Sequence, residues 1–219
     1  MPRRLNLPDS ASVATPEADG KLFAPSAARN SEPLTKALAP FVPPQGRALE
    51  IASGTGQHVV AYAQAYPDTQ WQPTEIALDR INSIATYLAE ASLPNVQAPI
   101  QLDATTPGWG AQTGSVDLIL LSNLLHLVSQ TEAEVLLSEA AQALAPRGCL
   151  VIYGPFSRDG LLISDGDIQF DASLRDQDPE LGYKSDTAIQ AFGESCGLVN
   201  TQTVEMPANN LLLTWQASS

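Results

Sequence analysis

Cysteine is nearly absent. The 219 residues hold two, Cys149 and Cys196, too few and too far apart for a disulfide framework or a metal cluster, so both are expected to be packed thiols and no metal is expected. Basic residues are scarce too. Eleven Lys and Arg stand against 24 Asp and Glu, a formal net charge of −13 that repels phosphate over most of the surface. That balance argues against nucleic acid or an anionic membrane as partner and leaves small molecules. No apolar run approaches the ~20 residues of a bilayer span. Arg3 and Arg4 are not followed by the apolar stretch of a secretory signal, so a soluble, cytoplasmic protein is expected. What remains is ample for one globular domain, with 44% hydrophobic and 16% charged residues.

Two further absences sharpen the most informative stretch, Leu49 to His58, where an apolar strand runs into a glycine turn and a helix start. A dinucleotide fingerprint counted from Gly54 requires a third glycine at 59, which is Val59. A phosphate loop requires Lys after the second glycine, where Gln57 stands. The turn can still cradle a ligand, because Gly54 and Gly56 bring no Cβ and a helix start offers unpaired N–H groups. The pattern Glu50-Ile51-Ala52-Ser53-Gly54-Thr55-Gly56 resembles motif I of the class I S-adenosylmethionine-dependent methyltransferases. Ala52 stands where that family usually has its first glycine and keeps the position small. The resemblance implies that Glu50, Ala52, Ser53, Gly54 and Gly56 belong to the cofactor site. An ordinary strand-to-helix turn is the plain alternative.

Residues 1–20, rich in Pro, Ser, Ala and Asp, lack periodic apolar positions and are expected to form a mobile tail. Residues 21–219 are read as one domain with an N-terminal arm over 21–41. The arm places Arg29 and Asn30 before a short helix expected over Ser31 to Phe41. It is either a simple anchor or a lid in which Arg29 offers its fork to a carboxylate. A second strand follows over Thr69 to Thr74, broken or ended by Pro73, and Glu75 lies 19 residues beyond Gly56. An acid at that offset accepts ribose hydroxyls in doubly wound folds, although it could also be an exposed acid at a helix start. Ile81, Ile84, Ala85 and Leu88 predict a helix on the sheet. Val96 to Leu102 reads as strand three, closed by Asp103 and Ala104.

Val116 to Leu121 is apolar on both faces, as a central parallel strand must be. Ser122, Asn123 and His126 emerge from its carboxyl end, where ligands of open α/β sheets bind. A helix from Thr131 to Ala145 is expected through the capping box Thr131-x-x-Glu134. Strand five, Cys149 to Tyr153, leads into a polar insert over 155–184 that either carries substrate contacts, with Phe156 and Arg175 as candidates, or forms a passive flap. A helix over Ser185 to Gly197 precedes a final hairpin, Val199 to Glu205 with Asn210 to Gln216. The expected fold is a Rossmann-like α/β class I methyltransferase. Its seven-stranded, mostly parallel sheet has order 3-2-1-4-5-7-6, strand 7 antiparallel and helices on both faces.

A more specific resemblance covers nearly everything from Phe23 to the C-terminus. Ser26 to Asn30, Leu49 to His58, Trp71-Gln72-Pro73, Tyr153 to Phe156, Phe170-Asp171-x-Ser173-Leu174-Arg175 and Pro207 to Asn210 together resemble the methyltransferase-like family catalogued as domain of unknown function 938. It implies S-adenosyl-L-methionine as cofactor and S-adenosyl-L-homocysteine as product, and it names no acceptor. Glu75 stands where that family usually has Asp, a longer reach for the same carboxylate. The methyltransferase resemblance also implies that Asp103 meets the adenine amino group and the Ala104 N–H a ring nitrogen; otherwise Asp103 is a turn residue. Methyl transfer from a sulfonium needs alignment and exclusion of water more than covalent catalysis. Where the acceptor must lose a proton, His126 is the first candidate base and Tyr153 the second. A noncatalytic cofactor-binding protein and an NAD-dependent oxidoreductase are the competing readings. The terminal hairpin and Val59 weigh against the latter.

Overall fold

A computed structural model describes residues 13–218. The first twelve residues of the expected tail lie outside it. In the next eight, β1 (Thr15–Pro16) pairs antiparallel with β2 (Leu22–Phe23) around a 3-10 turn at Ala18–Gly20. Helix α1 (Pro25–Leu38) begins six residues earlier than expected, because Pro25 fits the first helical position, where its missing N–H costs nothing. Pro33, in the first turn of the helix expected from Ser31, lies inside the longer one.

The large sheet follows from apolar alternation. β3 (Gly46–Ile51) leads into α2 (Gln57–Ala65), β4 (Thr69–Glu75) into α3 (Leu78–Ala91), and β5 (Ile100–Gln101) into α4 (Trp109–Thr113). β6 (Val116–Ser122) leads into a 3-10 turn, Leu125–Leu127, and α5 (Gln130–Ala143). β7 (Leu144–Ser157) is followed by α6 (Asp165–Gln177), β8 (Lys184–Ser185), α7 (Asp186–Ser195) and the hairpin β9 (Leu198–Glu205) and β10 (Asn210–Ala217). Leu49, Ile51, Ile119, Leu121, Leu150 and Ile152 point to one core, under α4, α5 and α7. Ala48, Leu118, Leu120, Val151 and Tyr153 point to the other, under α1, α2 and α3. Two buried faces need helices on both sides, which the alternating connections supply.

The strand order is β5-β4-β3-β6-β7-β10-β9, with β8 parallel to the far end of β7. The sheet therefore has eight strands rather than seven, because the return leg of the 155–184 insert lays Lys184 and Ser185 beside Phe156 and Ser157. The pairs within β5 to β7 are parallel, and β10 runs antiparallel to both β7 and β9. Strand three is shorter than expected. Pro99 interrupts it, leaving β5 and an isolated Val96–Trp71 bridge, while the Gln72 side chain donates to the Ala98 carbonyl across the gap. Among the described residues no helix is long and apolar enough to cross a membrane.

Candidate functional site

The strand order reverses on either side of β3, and a cavity opens there across the carboxyl ends of β3, β4 and β6 and the loop after β5. Its wall includes Glu50, Ala52, Ser53, Gly54, Glu75, Asp103, Ala104 and Ser122, all named above from the sequence. A crevice at such a switch point is where open α/β sheets take ligands. The glycine loop is fixed by β4: Ser53 N–H donates to the Thr74 carbonyl at 2.8 Å, and Gly54 N–H donates to Glu75 Oε2 at 2.9 Å. Ala52 sits at φ 53° and Gly54 at φ 60°, both left-handed. A Cβ on Gly54 would meet only Arg80 Nη1, at 3.5 Å, so that side of the loop is open to an approaching ligand. Gly56 does something else. It is not on the cavity wall, and a Cβ there would stand 2.9 Å from Ile84 Cα, so this glycine lets α3 pack against the loop.

Glu75 is 5% exposed, and its Oε1 accepts from Ile76 N–H at 2.8 Å and Ala77 N–H at 3.4 Å. Burial raises its carboxyl above the usual range, against those amide bonds and the Arg80 charge. A carboxylate has about four lone-pair sites. Three amides therefore leave acceptor capacity on an acid already aimed along the cavity. Asp103 has both of the features weighed for it: Oδ1 closes a turn with Thr105, by N–H at 3.0 Å and hydroxyl at 2.6 Å, and the residue lines the cavity. Glu50 is 2% exposed, and burial, with the Glu75 charge adding, pushes its carboxyl up to about 7. Its Oε2 and the Ser122 hydroxyl are both buried without a hydrogen-bond partner.

Several candidates lie off the wall. His126 is 4% exposed and its ring packs against Phe170 and Tyr183, away from the cavity. Burial, helped by the Lys184 charge, lowers it to about 3, which makes it a poor base. The cause is local: in the 3-10 turn residues three apart share a face. Leu124 and Leu127 face the cavity, and His126 between them faces the insert. Tyr153 is also buried away from the wall, its hydroxyl accepting from Asn210 Nδ2 at 3.0 Å. Phe156 is in the core, and Arg175 forks onto Asp171 at 2.7 and 3.1 Å inside the insert. Arg29 is exposed and Asn30 half-buried on α1, neither on the wall. Of the acceptor-side candidates, Asn123 alone reaches the cavity, at φ 55°.

Other wall residues carried no recognised sequence signal. Ile76 and Arg80 follow the acid at the end of β4, and the offset of one residue and then one helical turn from Glu75 could have flagged them. Leu127, Val128 and Glu132 close another side and were hidden by the assumed helix start. The actual capping box is Ser129 with Glu132, two residues earlier than expected. Val13 of the preceding segment and Ala24, Ser26 and Ala27 of the arm also line the cavity, and the arm is tied down beside the loop. Ala24 N–H donates to Gln57 Oε1 at 2.7 Å, Leu22 N–H donates to Ser83 Oγ at 2.9 Å, and His58 Nε2 lies 3.2 Å from the Ala27 carbonyl. Among the described residues no group of three or more His, Cys, Asp or Glu is arranged to hold a metal ion.

Comparison with known proteins agrees with this architecture. The family model described as Protein of unknown function (DUF938) matches residues 21–217. Among solved structures, an O-methyltransferase family protein from Burkholderia thailandensis superposes with a TM-score of 0.76 at 17% identity, covering 89% of this chain and 58% of that one. Human N-acetylserotonin methyltransferase, solved with SAM, gives 0.72 at 14% identity over 89% and 53%. An O-methyltransferase family 2 protein from Planctomyces limnophilus, solved with apigenin, gives 0.72 at 18% over 87% and 59%. The chain thus spans a little over half the length of these structures. At such identities the likeness establishes the Rossmann-like methyltransferase fold.

Proposed function

The chain belongs to the family described as Protein of unknown function (DUF938), and from that premise and the cavity we propose that it is an S-adenosyl-L-methionine-dependent methyltransferase acting on a small-molecule acceptor. One observation carries the reading: the glycine loop, the acid ending β4 and the acid following β5 open into a single cavity at the reversal of strand order. The residues fit the cofactor. Gly54 leaves the main chain open, Glu75 keeps acceptor capacity that ribose hydroxyls would use, and Asp103 with Ala104 lines the same cavity, where they would meet the adenine. The unpartnered Glu50 and Ser122 oxygens supply acceptors for a positively charged group. When bound, the cofactor supplies a methyl group on a sulfonium, open to in-line displacement.

The chain's own part is to hold and to exclude. Leu124, Leu127 and Val128 give the cavity an apolar side suited to excluding water, and Ala24, Ser26 and Ala27 of the arm line it as well. Asn123 is the residue best placed to orient an acceptor. Neither His126 nor Tyr153 borders the cavity, so an acceptor that ionises by itself, such as a thiol or carboxylic acid, suits the site best. The same observation favours the second reading, a noncatalytic cofactor-binding protein on the same fold.

Calorimetric titration with S-adenosyl-L-homocysteine and NAD side by side, then a labelled-methyl screen of metabolite extracts, separates these readings. Saturable homocysteine-nucleoside binding without NAD binding, followed by a labelled product, is expected. Binding without any product would favour the noncatalytic reading. NAD binding alone would point to the oxidoreductase, and binding of neither would end the cofactor assignment.

A further inference from the structure

Three buried polar atoms without a hydrogen-bond partner are gathered on one side of β3: Glu50 Oε2, the Tyr62 hydroxyl and the Ser122 hydroxyl. Glu50 and Ser122 line the cavity at the ends of neighbouring strands, and Tyr62, on α2, stands behind them in the core. The Tyr62 hydroxyl feels both the Glu50 carboxyl and the Ser122 hydroxyl, yet reaches hydrogen-bond geometry with neither. Buried polar groups are ordinarily paired, and several orphans together require an explanation. One is ordered water, which such a space can hold. That is the structural reading, and it gives no reason for a carboxyl whose Oε2 has no protein partner and whose one interacting donor is the neutral Ser53 hydroxyl.

Among the described residues, the groups acting on Glu50 supply no positive charge. From β4 comes Glu75, a second acid; from α2 come Tyr62 and His58, the latter lowered by burial to about 4 and so neutral. From β6 comes Ser122, and Tyr153 of β7 lies beyond Tyr62. The arm and α1 bring Ala24, Ser26 and Ala27 to the same cavity, none of them charged. Arg80 acts on Glu75 instead. An acid so enclosed is more stable protonated than ionised.

We propose that Glu50, with Tyr62 and Ser122, holds a proton in the empty protein and releases it to solvent when an α-ammonium group of a ligand arrives, so that cofactor uptake is coupled to loss of one proton. The ligand keeps its ammonium charge, the Glu50 carboxyl becomes a carboxylate, and the proton passes to buffer. Tyr62 is a positioning residue: its hydroxyl, kept neutral by burial, can donate to the new carboxylate. The identity of the ligand rests on the methyltransferase reading; the held proton does not.

The test uses the full chain and two probes, S-adenosyl-L-homocysteine and methylthioadenosine, the same nucleoside thioether without the amino acid. Calorimetry in buffers of different ionisation heat, between about pH 5.5 and 8.5, counts protons exchanged. Near pH 6 about one proton should be released per homocysteine nucleoside bound, and its affinity should fall about tenfold per pH unit below about 7. Methylthioadenosine should bind without release and without that pH dependence. Glu50→Gln should abolish the release, and Tyr62→Phe should move the inflection to higher pH. In the empty wild type, the infrared carbonyl band of a protonated carboxyl should be present at pH 6 and absent in Glu50→Gln, a readout that needs no ligand. Homocysteine-nucleoside binding with no proton release overturns the proposal and leaves the methyltransferase reading standing. Binding at no pH overturns the methyltransferase reading and the coupled release, while absence of the infrared band in the empty wild type overturns the held proton; should Glu50→Gln fail to fold, the wild-type proton count against methylthioadenosine still decides.

Discussion

At the residue scale, the loop after β3 uses its small residues for different purposes. Gly54 needs both its φ of 60° and its open side, while Gly56 makes room for Ile84. Strain and blockage can be separated at Gly54, because Asn tolerates the left-handed region and Val does not. Both Gly54→Asn and Gly54→Val should lose homocysteine-nucleoside binding by calorimetry, and Val should also lose thermal stability by about 1 to 2 kcal/mol more than Asn. A folded Gly54→Asn with wild-type affinity would remove the loop from the site. Glu50, Glu75 and Asp103 were recognisable because each is an acid at or just beyond a strand end. His126 misled because a sequence gives its position in a turn and not the direction in which a 3-10 turn points it.

At the element scale, the arm is the least expected part of the cavity. β2 and the start of α1 bury little apolar surface, and the side chains of Gln57 and Ser83 hold them: Gln57 Oε1 accepts from both Ala24 N–H and the Thr55 hydroxyl, and Ser83 Oγ accepts from Leu22 N–H while donating to the Thr55 carbonyl. A net ~0.5–1.5 kcal/mol per hydrogen bond makes such an attachment breakable without unfolding the sheet. In the double variant Gln57→Ala, Ser83→Ala, amide exchange at Leu22 and Ala24 should quicken by about tenfold or more, with the β6 amides unchanged. Equal exchange in variant and wild type would show that other contacts hold the arm. Element boundaries also divide by their physics. Ser129-x-x-Glu132 and Thr131-x-x-Glu134 satisfy the same capping rule, and the first wins because Ser129 and Glu132 are themselves buried there and bond reciprocally. Helix α6 had no comparable signal, since its inward side carries mainly Asp167, Asp171 and Leu174 rather than an apolar stripe. Those acids are paired nearby, Ser164 with Asp167 and Arg175 with Asp171, and also by partners distant in sequence: Tyr183 with Asp167 and Asp171, and Asn209 with Asp167.

At the scale of the whole molecule, pH acts on stability through opposed buried groups. Burial holds His58 at about 4 and His126 at about 3, below the unfolded value, so their contributions are present above about pH 6.5 and are lost as pH falls toward those values. Glu50, raised to about 7, works the other way: its contribution is full below about 4.5 and lost as pH rises to about 7. Glu75, also raised, adds to Glu50's sense. Each such group changes stability by about 1.4 kcal/mol per pH unit inside its window. In urea unfolding between about pH 6.5 and 5, His126→Gln should therefore flatten the acid loss by about 1.4 kcal/mol per unit, and Glu50→Gln should steepen it by a similar amount. Slopes unchanged by either substitution would mean that these side chains are hydrated in solution.

The sequence by itself determined the order of the seven main strands and of the helices α1, α2, α3, α5 and α7, the parallel centre, the terminal hairpin and the acids around the glycine loop. Each is written locally, in side-chain alternation, helical spacing or an offset along the chain, and local geometry obeys such patterns. Tertiary structure alone decided that His126 turns from the cavity, that Gly56 serves a helix, that an eighth strand joins the sheet, and that Glu50 meets Tyr62 and Ser122 with no counter-charge among the described residues. These depend on which distant segments pack against one another, and burial, the term that sets both the pairing and the proton affinity of those groups, exists only once they do.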